Sequence, residues 1–322
     1  MKRIGLLTSG GDSPGMNAAV RAVVRTAISS GLEVFAVRQG YKGLIEGNLK
    51  MVTANDVSNM IQRGGTILKS ARCEEFRQPE GRAKAAEILK KNEIDALITI
   101  GGDGTFMGAT LLGKEHGINV IGVPATIDND LVGTDETIGY DTALNTAMEA
   151  IDKIRDTADA HDRLFLVEVM GRDAGFIALE TGIASGAELI LLPEQLTHLD
   201  EIKVSLKKVL AEHKRSSLVI IAEGEHTGGA LKISEDLQSD FSEYDMRVCI
   251  LGHIQRGGNP TARDRVLASR LGSSAVTTLI EGHSEVMVGL VNNRIKLTPL
   301  KMTFGKKKEI NYDLLELAIM LR

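Results

Sequence analysis

The chain has 322 residues, 43% of them hydrophobic and 25% charged, a length that two cores fill more readily than one and a composition typical of globular domains. Aromatic residues make up 3% with no Trp, and 38 basic residues against 43 acidic ones leave a net charge of -5, which excludes a base-stacking surface or a strongly basic face for nucleic acid. No run is apolar enough to span a bilayer, the opening residues lead into a glycine loop rather than a signal-type segment, and Cys73 and Cys249 carry no disulfide or metal-ligand pattern, so a cytoplasmic protein with no membrane partner is expected.

Along the chain, short runs rich in Ile, Val and Leu alternate with Gly/Asp/Pro turns and helical stretches, the rhythm of βαβ units. The runs are Ile4–Thr8, Glu33–Arg38, Ala96–Ile100, Val120–Val123, Leu164–Val169, Leu218–Ala222 and Val248–Leu251. Their continuous apolarity predicts strands covered on both faces. After the first run, Val20, Val23, Val24, Ala27 and Ile28 make one helical stripe that stops at Gly31, with Arg21 and Arg25 one turn apart on another face. A long helix is expected from about Thr142 to Ala158, with Leu144, Ala147, Met148, Ile151 and Ile154 inward. The fold class is α/β, with two doubly wound, Rossmann-like, three-layer domains whose sheets are mainly parallel. A boundary is expected near Gly139, where a long loop from Pro124 ends in a helix.

Three early strands end in loops that carry both glycine and aspartate: TSGGDSPGMN (8–17), IGGDGTFMG (100–108) and VPATIDNDLVGTD (123–135). In an open α/β sheet such loops gather at the carboxyl edge, where ligands bind, so Asp12, Asp103, Asp128 and Asp130 are candidates to meet. The second loop has the spacing G-x-G-x-x-x-G with Asp103 between Gly102 and Gly104. A carboxylate there repels a pyrophosphate unless a divalent cation lies between, and Mg²⁺ favours one or two carboxylates plus phosphate oxygens. Gly102, Asp103, Gly104 and Thr105 therefore read as a nucleotide phosphate cradle followed by a helix beginning near Phe106. A capping aspartate in a structural turn is the alternative. No Walker A sequence is present.

Phosphoryl transfer to an alcohol needs a carboxylate for the hydroxyl proton, and the third loop offers Asp128 and Asp130, with Thr126 to orient either. Spacing does not choose between them, or between acid–base and purely electrostatic roles. Arg72, Arg163, Arg172, Arg247 and Arg256 are candidates to hold phosphate; a surface ion pair is the more common fate of any single one, and Arg172 and Arg256, flanked by glycine at strand ends, are the better candidates of the five. His253 could donate to a sugar or phosphate oxygen or serve structurally. Glu223, just after a strand, could accept sugar hydroxyls.

These motifs resemble bacterial ATP-dependent 6-phosphofructokinases. The likeness runs nearly end to end, through TSGGDSPGMNAAVR, QRGGT, SARC, GGDGT, TIDND, GYDTALNTA, KIRDTA, MGRDAG, AEGE and LGHIQRGGNPTARDRVLAS. It implies transfer of the ATP γ-phosphate to the 1-hydroxyl of fructose 6-phosphate, with Mg²⁺, in a homotetramer that shares its active sites between subunits. It assigns ATP to Gly11, Arg72, Cys73, Gly102, Asp103, Gly104 and Thr105, with Asp103 on the metal. Asp128 becomes the base, helped by Thr126 and Arg172. The sugar phosphate falls to Thr126, Ile127, Asp128, Met170, Gly171, Arg172, Glu223, His253, Ile254, Gln255 and Arg256, with Arg163 and Arg247 reaching in from a neighbouring subunit. Residues 1–138 with about 251–303 would bind ATP, and 139–250 with about 304–322 the sugar phosphate.

The same resemblance implies an effector site for ADP or phosphoenolpyruvate at Arg21 (followed by Ala22 and Val23), Arg25, Arg155, Gly186, Glu188, Lys214 and Arg215. Two departures from the family pattern stand out. Ala125 replaces a usual glycine, yet pyrophosphate-using relatives carry lysine there and aspartate in place of Gly104, so ATP remains the expected donor. Glu212 replaces an expected arginine, and its charge predicts weak or absent phosphoenolpyruvate inhibition. Relatives of NAD kinase and diacylglycerol kinase share a GGDGT loop but are not expected to have TIDND or LGHIQRGG. A silent nucleotide-binding protein is disfavoured by intact Asp103 and Asp128.

Overall fold

The apolar runs become strands and the periodic stretches between them become helices. The computed structural model describes residues 1–160, 163–211 and 217–321. In chain order the elements are β1 (Arg3–Thr8), α1 (Met16–Ser29), β2 (Glu33–Val37), α2 (Gly40–Glu46), β3 (Leu49–Val52), α3 (Pro79–Lys91), β4 (Ala96–Gly101), α4 (Asp103–His116), β5 (Asn119–Pro124), α5 (Tyr140–Asp159), β6 (Arg163–Val169), α6 (Phe176–Ser185), β7 (Leu189–Leu191), α7 (Leu199–Ala211), β8 (Ser217–Ala222), α8 (Gly229–Leu237), β9 (Asp245–Ile250), α9 (Ala262–Ile280), β10 (Val286–Val291), β11 (Arg294–Pro299) and α10 (Tyr312–Met320).

The chain forms two compact units: Met1–Ile127, Leu131–Thr142 and Arg256–Lys308 make the first, and Asp128–Asp130, Ala143–Gln255 and Glu309–Arg322 the second. The first crossing lies at the Ile127–Asp128 peptide bond, inside TIDND, and another falls between Thr142 and Ala143, within the first turn of α5.

The first unit holds a seven-stranded sheet in the order β11-β10-β5-β4-β1-β2-β3. Its five central strands, β10 to β2, are parallel, while the edge strands β11 and β3 pair antiparallel with β10 and β2. The pleat sends alternate residues to opposite faces. Ile4, Leu6, Ile98 and Ile100 enter a core with α1 and α9, whereas Leu7 and Leu97 enter another with α2, α3 and α4. That is the expected three-layer arrangement. The chain runs outward to one side after β1 and to the other after β4, so the switch point lies between these neighbours. Ile28, expected on the inner stripe of α1, is 37% exposed in the helix's last turn, where Ala27 is the residue that enters the core.

The second unit holds a parallel sheet in the order β7-β8-β6-β9. Leu164, Leu166, Val219 and Ile221 pack with α7 and α8 on one face, and α6 packs against β8 and α10. Strands β3, β7, β10 and β11 are additional to the apolar runs read from sequence. The β10/β11 hairpin turns on Asn292 and Asn293, both at positive φ (49 and 60), the geometry of a two-residue turn that favours Asn.

Candidate active site

In the first unit the loops after β1 and β4 meet at the switch point. The Ser9 N–H donates to the Ile100 carbonyl at 3.0 Å, and a Cβ on Gly101 would lie 2.4 Å from the Ser9 carbonyl oxygen, so two glycine loops approach backbone to backbone. Gly102 is the extended N-cap of α4, and the helix begins at Asp103, three residues earlier than the sequence suggested. Asp103 is thus an exposed acid in the first turn, where the free N–H groups and the helix dipole favour negative charge. The space beside Gly104 is open, with nothing within 4 Å of a Cβ built there. Thr105 is 3% exposed and its hydroxyl has no hydrogen-bond partner among the described residues.

Helix N–H groups, an open glycine and an orphaned buried hydroxyl suit a polyphosphate. The exposed carboxylate of Asp103 beside such a cradle is also of the type that fits Mg²⁺ carried with a polyphosphate, since that ion takes one or two carboxylates and fills its shell with phosphate oxygens and water. Arg72 is exposed and Cys73 half-buried against the core under α2, α3 and α4, just before a 3₁₀ turn at Glu75–Arg77. Phe76 in that turn stacks on Tyr41 at 3.9 Å, and the Tyr41 hydroxyl donates to the Thr105 carbonyl at 2.6 Å. Sequence reasoning missed this brace between the SARC and GGDGT segments. Its only local signal is two aromatics in a chain with few of them.

Arg256 also belongs to the first unit. It donates to the Asp12 carbonyl at 3.4 Å, and a Cβ on Gly11 would stand 2.7 Å from its Nη1. Glycine at position 11 therefore makes room for a guanidinium that is 245 positions away in the chain. Thr126 and Ile127 lie buried at the end of the same unit, 9% and 0% exposed, with the Thr126 carbonyl accepting from Thr137 Oγ1 at 2.6 Å.

In the second unit the loops after β6, β8 and β9 converge. Met170 donates its N–H to Gln255 Oε1 at 3.1 Å, and Arg172 donates its own to Glu223 Oε1 at 2.7 Å. Gly171 has φ 147, and a Cβ there would lie 2.4 Å from the Ala174 carbonyl oxygen. Arg172 itself has φ 52, left-handed for a residue with a side chain, and its Nε stands 3.4 Å from Asp128 Oδ2. Asp128 is 1% exposed, whereas the Arg172 side chain is half exposed. Between the two aspartates of TIDND, Asn129 is buried with φ 52, a left-handed conformation that Asn tolerates better than most residues. Backbone strain of this kind gathers at functional sites.

A 3₁₀ turn spans Gly252–Arg256; its His253 and Ile254 are exposed, while Gln255 is fully buried. Arg163 and Arg247 come together on the β6/β9 edge through one acid that the sequence did not single out. Asp245 accepts from Arg163 Nε at 2.7 Å and lies 2.9 Å from Arg247 Nε, and these two guanidiniums, Arg163 first, hold its carboxyl below the usual range.

A phosphofructokinase family model matches residues 3–279. The chain belongs to the phosphofructokinase family. It is 54% identical over 321 residues to ATP-dependent 6-phosphofructokinase 1 of Thermus thermophilus, covering 100% of this chain and 99% of that one. It is 53% identical over 314 residues to ATP-dependent 6-phosphofructokinase 2 of Bacteroides thetaiotaomicron, covering 98% and 96%. Among solved structures, phosphofructokinase from Saccharomyces cerevisiae superposes with a TM-score of 0.86 at 38% identity; the match covers 99% of this chain and 46% of the yeast chain, so this phosphofructokinase-family chain spans about half the length of that relative. A pyrophosphate-dependent phosphofructokinase from Marinobacter aquaeolei, 23% identical with a TM-score of 0.85 and covering 97% and 86% of the two chains, shares the fold.

Of the expected effector residues in this phosphofructokinase, the first unit holds Arg21, half-buried, and Arg25, exposed. In the second unit, Arg155 Nη2 donates to the Gly186 carbonyl at 2.9 Å, and the buried Glu188 carboxylate accepts the Leu218 N–H at 2.6 Å. Lys214, Arg215 and the Glu212 departure lie outside the described residues. No helix among the described residues is long and apolar enough to cross a membrane.

Proposed function

We propose that the protein is an ATP-dependent 6-phosphofructokinase, which transfers the γ-phosphoryl group of ATP to the 1-hydroxyl of fructose 6-phosphate and yields fructose 1,6-bisphosphate and ADP. The observation that carries this reading is the Asp128–Arg172 pair, a buried carboxylate facing a backbone-strained guanidinium within an acceptor-side loop cluster. The donor falls to the first unit, with Gly11, Arg72, Cys73 and the Gly102–Thr105 turn around the nucleotide. Asp103 would hold Mg²⁺, which when bound neutralises charge on the β- and γ-phosphates.

In the chemical step the 1-hydroxyl gives its proton to an oxygen of Asp128. The freed oxygen lone pair forms the new P–O bond while the bond to the ADP oxygen breaks. Arg172 offsets the charge that spreads over the transferring group, and Thr126 helps orient it. Met170, Gly171, Glu223, His253, Gln255 and Arg256 hold the sugar phosphate. Open space at Gly104 and the small side chain of Ala125 support ATP over pyrophosphate as donor.

A coupled assay with ATP or pyrophosphate and a panel of sugar phosphates tests this. Magnesium-dependent turnover of fructose 6-phosphate with ATP alone is expected, and turnover with pyrophosphate alone, or none, overturns it. The reading extends to a cytosolic homotetramer in which Arg163 and Arg247 serve a neighbouring site. Mixed tetramers of Arg247→Ala and Asp128→Ala should then regain part of the activity. Arg155, Gly186 and Glu188 belong to a weakened effector site, and sigmoidal inhibition by phosphoenolpyruvate that vanishes in Arg155→Ala would contradict that weakening.

A further inference from the structure

The buried carboxylate of Asp264 has no part in the chemistry assigned above. It lies in the first turn of α9 and is 1% exposed; the N-cap Thr261 accepts the Asp264 N–H at 3.2 Å. An acid three residues after a threonine cap ordinarily reaches back to the N–H of the cap residue. Here the Thr261 N–H goes to Thr142 Oγ1 at 3.0 Å instead. The Asp264 carboxylate turns to the start of another helix, α5, and accepts the Gly139 N–H at 2.7 Å, the Thr142 N–H at 2.8 Å and the Thr142 hydroxyl at 2.5 Å. In exchange Asp141, at the start of α5, accepts the Thr261 hydroxyl at 2.5 Å. The two helices cap each other crosswise, and the better-buried acid serves α5.

This anchor holds the return segment of the TIDND loop. Just before Gly139, the Ile138 N–H donates to the Pro124 carbonyl at 3.1 Å, and Ile138 forms a parallel bridge with Ala125. Thr137 Oγ1 donates to the Thr126 carbonyl at 2.6 Å, and Ser13 Oγ donates to the Ile138 carbonyl at 3.0 Å. Ser13, Thr137 and Ile138 are each 0% exposed. At Gly139, with φ 103, a Cβ would come 2.5 Å from the Ser13 Cβ, so this segment packs without a side chain to cushion it.

We infer that Asp264 is a positioning residue for phosphoryl transfer: by anchoring residues 139–142 it fixes, through Thr137 and Ile138, the Pro124–Ile127 backbone from which Asp128 follows in the chain. The inference rests on the reading of Asp128 as base. Buried charge-assisted bonds are short and directional, and loss of about 1 Å in alignment at a reacting group costs up to about 10²-fold in rate. A purely structural role would instead lower stability and leave turnover by the folded enzyme unchanged.

The test is steady-state kinetics of the Mg²⁺-loaded enzyme with ATP and fructose 6-phosphate, on Asp264→Asn, Thr137→Val, Asp128→Ala and the Asp264→Asn/Asp128→Ala double variant, each checked for fold by circular dichroism. Asparagine keeps the size and one acceptor but sets an NH₂ against a donor. For Asp264→Asn we expect kcat to fall about 10- to 100-fold with KM for both substrates within about threefold. Thr137→Val should fall in the same direction by less. With Asp128 already removed, Asp264→Asn should change the residual turnover by less than about twofold.

Unchanged kcat in folded Asp264→Asn, or an equal loss on both backgrounds, overturns the inference. Should Asp264→Asn not fold, the same cycle run with Thr137→Val decides it on the same criteria. Full activity of Asp128→Ala would sink the assignment of the base and this inference with it, whereas a loss there beside an unaffected Asp264→Asn sinks the inference alone.

Discussion

Asp128 Oδ2 stands 3.4 Å from Arg172 Nε, and Arg172 is held in the left-handed region with its N–H on the Glu223 carboxylate. One residue thus presents its side chain to the proposed base and its backbone to a second acid. If Asp128 takes the proton, Asp128→Ala should lower kcat by at least about 10²–10⁴-fold with little change in KM for ATP, as measured by steady-state kinetics. A mild effect moves the base to Asp130.

The backbone bond from Arg172 to Glu223 separates two functions of that acid. Glu223→Ala should raise KM for the sugar phosphate about tenfold or more, since a hydrogen bond to a charged group contributes roughly 1.5–3 kcal/mol. Glu223→Gln keeps an acceptor for the Arg172 N–H and should retain most of the affinity. Equal effects in the two variants would show that the charge, and not the Arg172 backbone, is what matters.

Two glycines of the first unit should respond oppositely to a methyl group. A Cβ at Gly11 meets the Arg256 guanidinium at 2.7 Å, so Gly11→Ala should cost activity by displacing that side chain. Gly104 is the second residue of α4, with nothing within 4 Å of a Cβ, so Gly104→Ala should keep stability or raise it by up to about 1 kcal/mol of helix propensity, read as an unchanged or higher Tm. It should nonetheless raise KM for ATP, because the methyl group fills the proposed phosphate cradle. Melting curves and ATP titrations check the pair.

Burial pushes the Asp264 carboxyl up to about 6, against the pull of its Thr142 and Gly139 donors. A raised value means the folded protein holds the proton more tightly than the unfolded chain does. Stability from this group is therefore fully present below the unfolded carboxyl value and is lost as pH rises through about 6. Between pH 7 and pH 4, the stability of the wild type relative to Asp264→Asn should shift in favour of the wild type by up to about 3 kcal/mol. Urea unfolding of both proteins across that range measures the difference, and a flat or opposite trend would contradict it.

Arg82 on α3 is 4% exposed; it meets the two oxygens of Glu115 at 2.6 and 2.7 Å and donates to the Phe76 and Arg77 carbonyls at 3.0 and 2.7 Å. Arg82→Ala should cost about 3 kcal/mol in urea unfolding, because it orphans two buried-side carbonyls and a partly buried acid. Arg82→Lys should recover only part of this, since an ammonium cannot reproduce the two-pronged pairing.

What was legible in the sequence was local. Each central strand, each glycine–aspartate loop and the two long helices follow from residue types within a few positions of one another, because backbone conformation and strand burial depend on near neighbours. The Asn292–Asn293 turn and the Thr261-to-Asp264 capping pattern were also there to be read. The helix start at Asp103 was misplaced because glycines obscure periodicity.

Which distant groups meet was settled by the sheet orders. Arg256 lies against Gly11, Asp245 joins Arg163 to Arg247, and Asp264 leaves its own helix to cap α5. None of these has a signature in spacing. A buried polar atom must bond to whichever donor the packing brings beside it, and only the folded chain decides which donor that is.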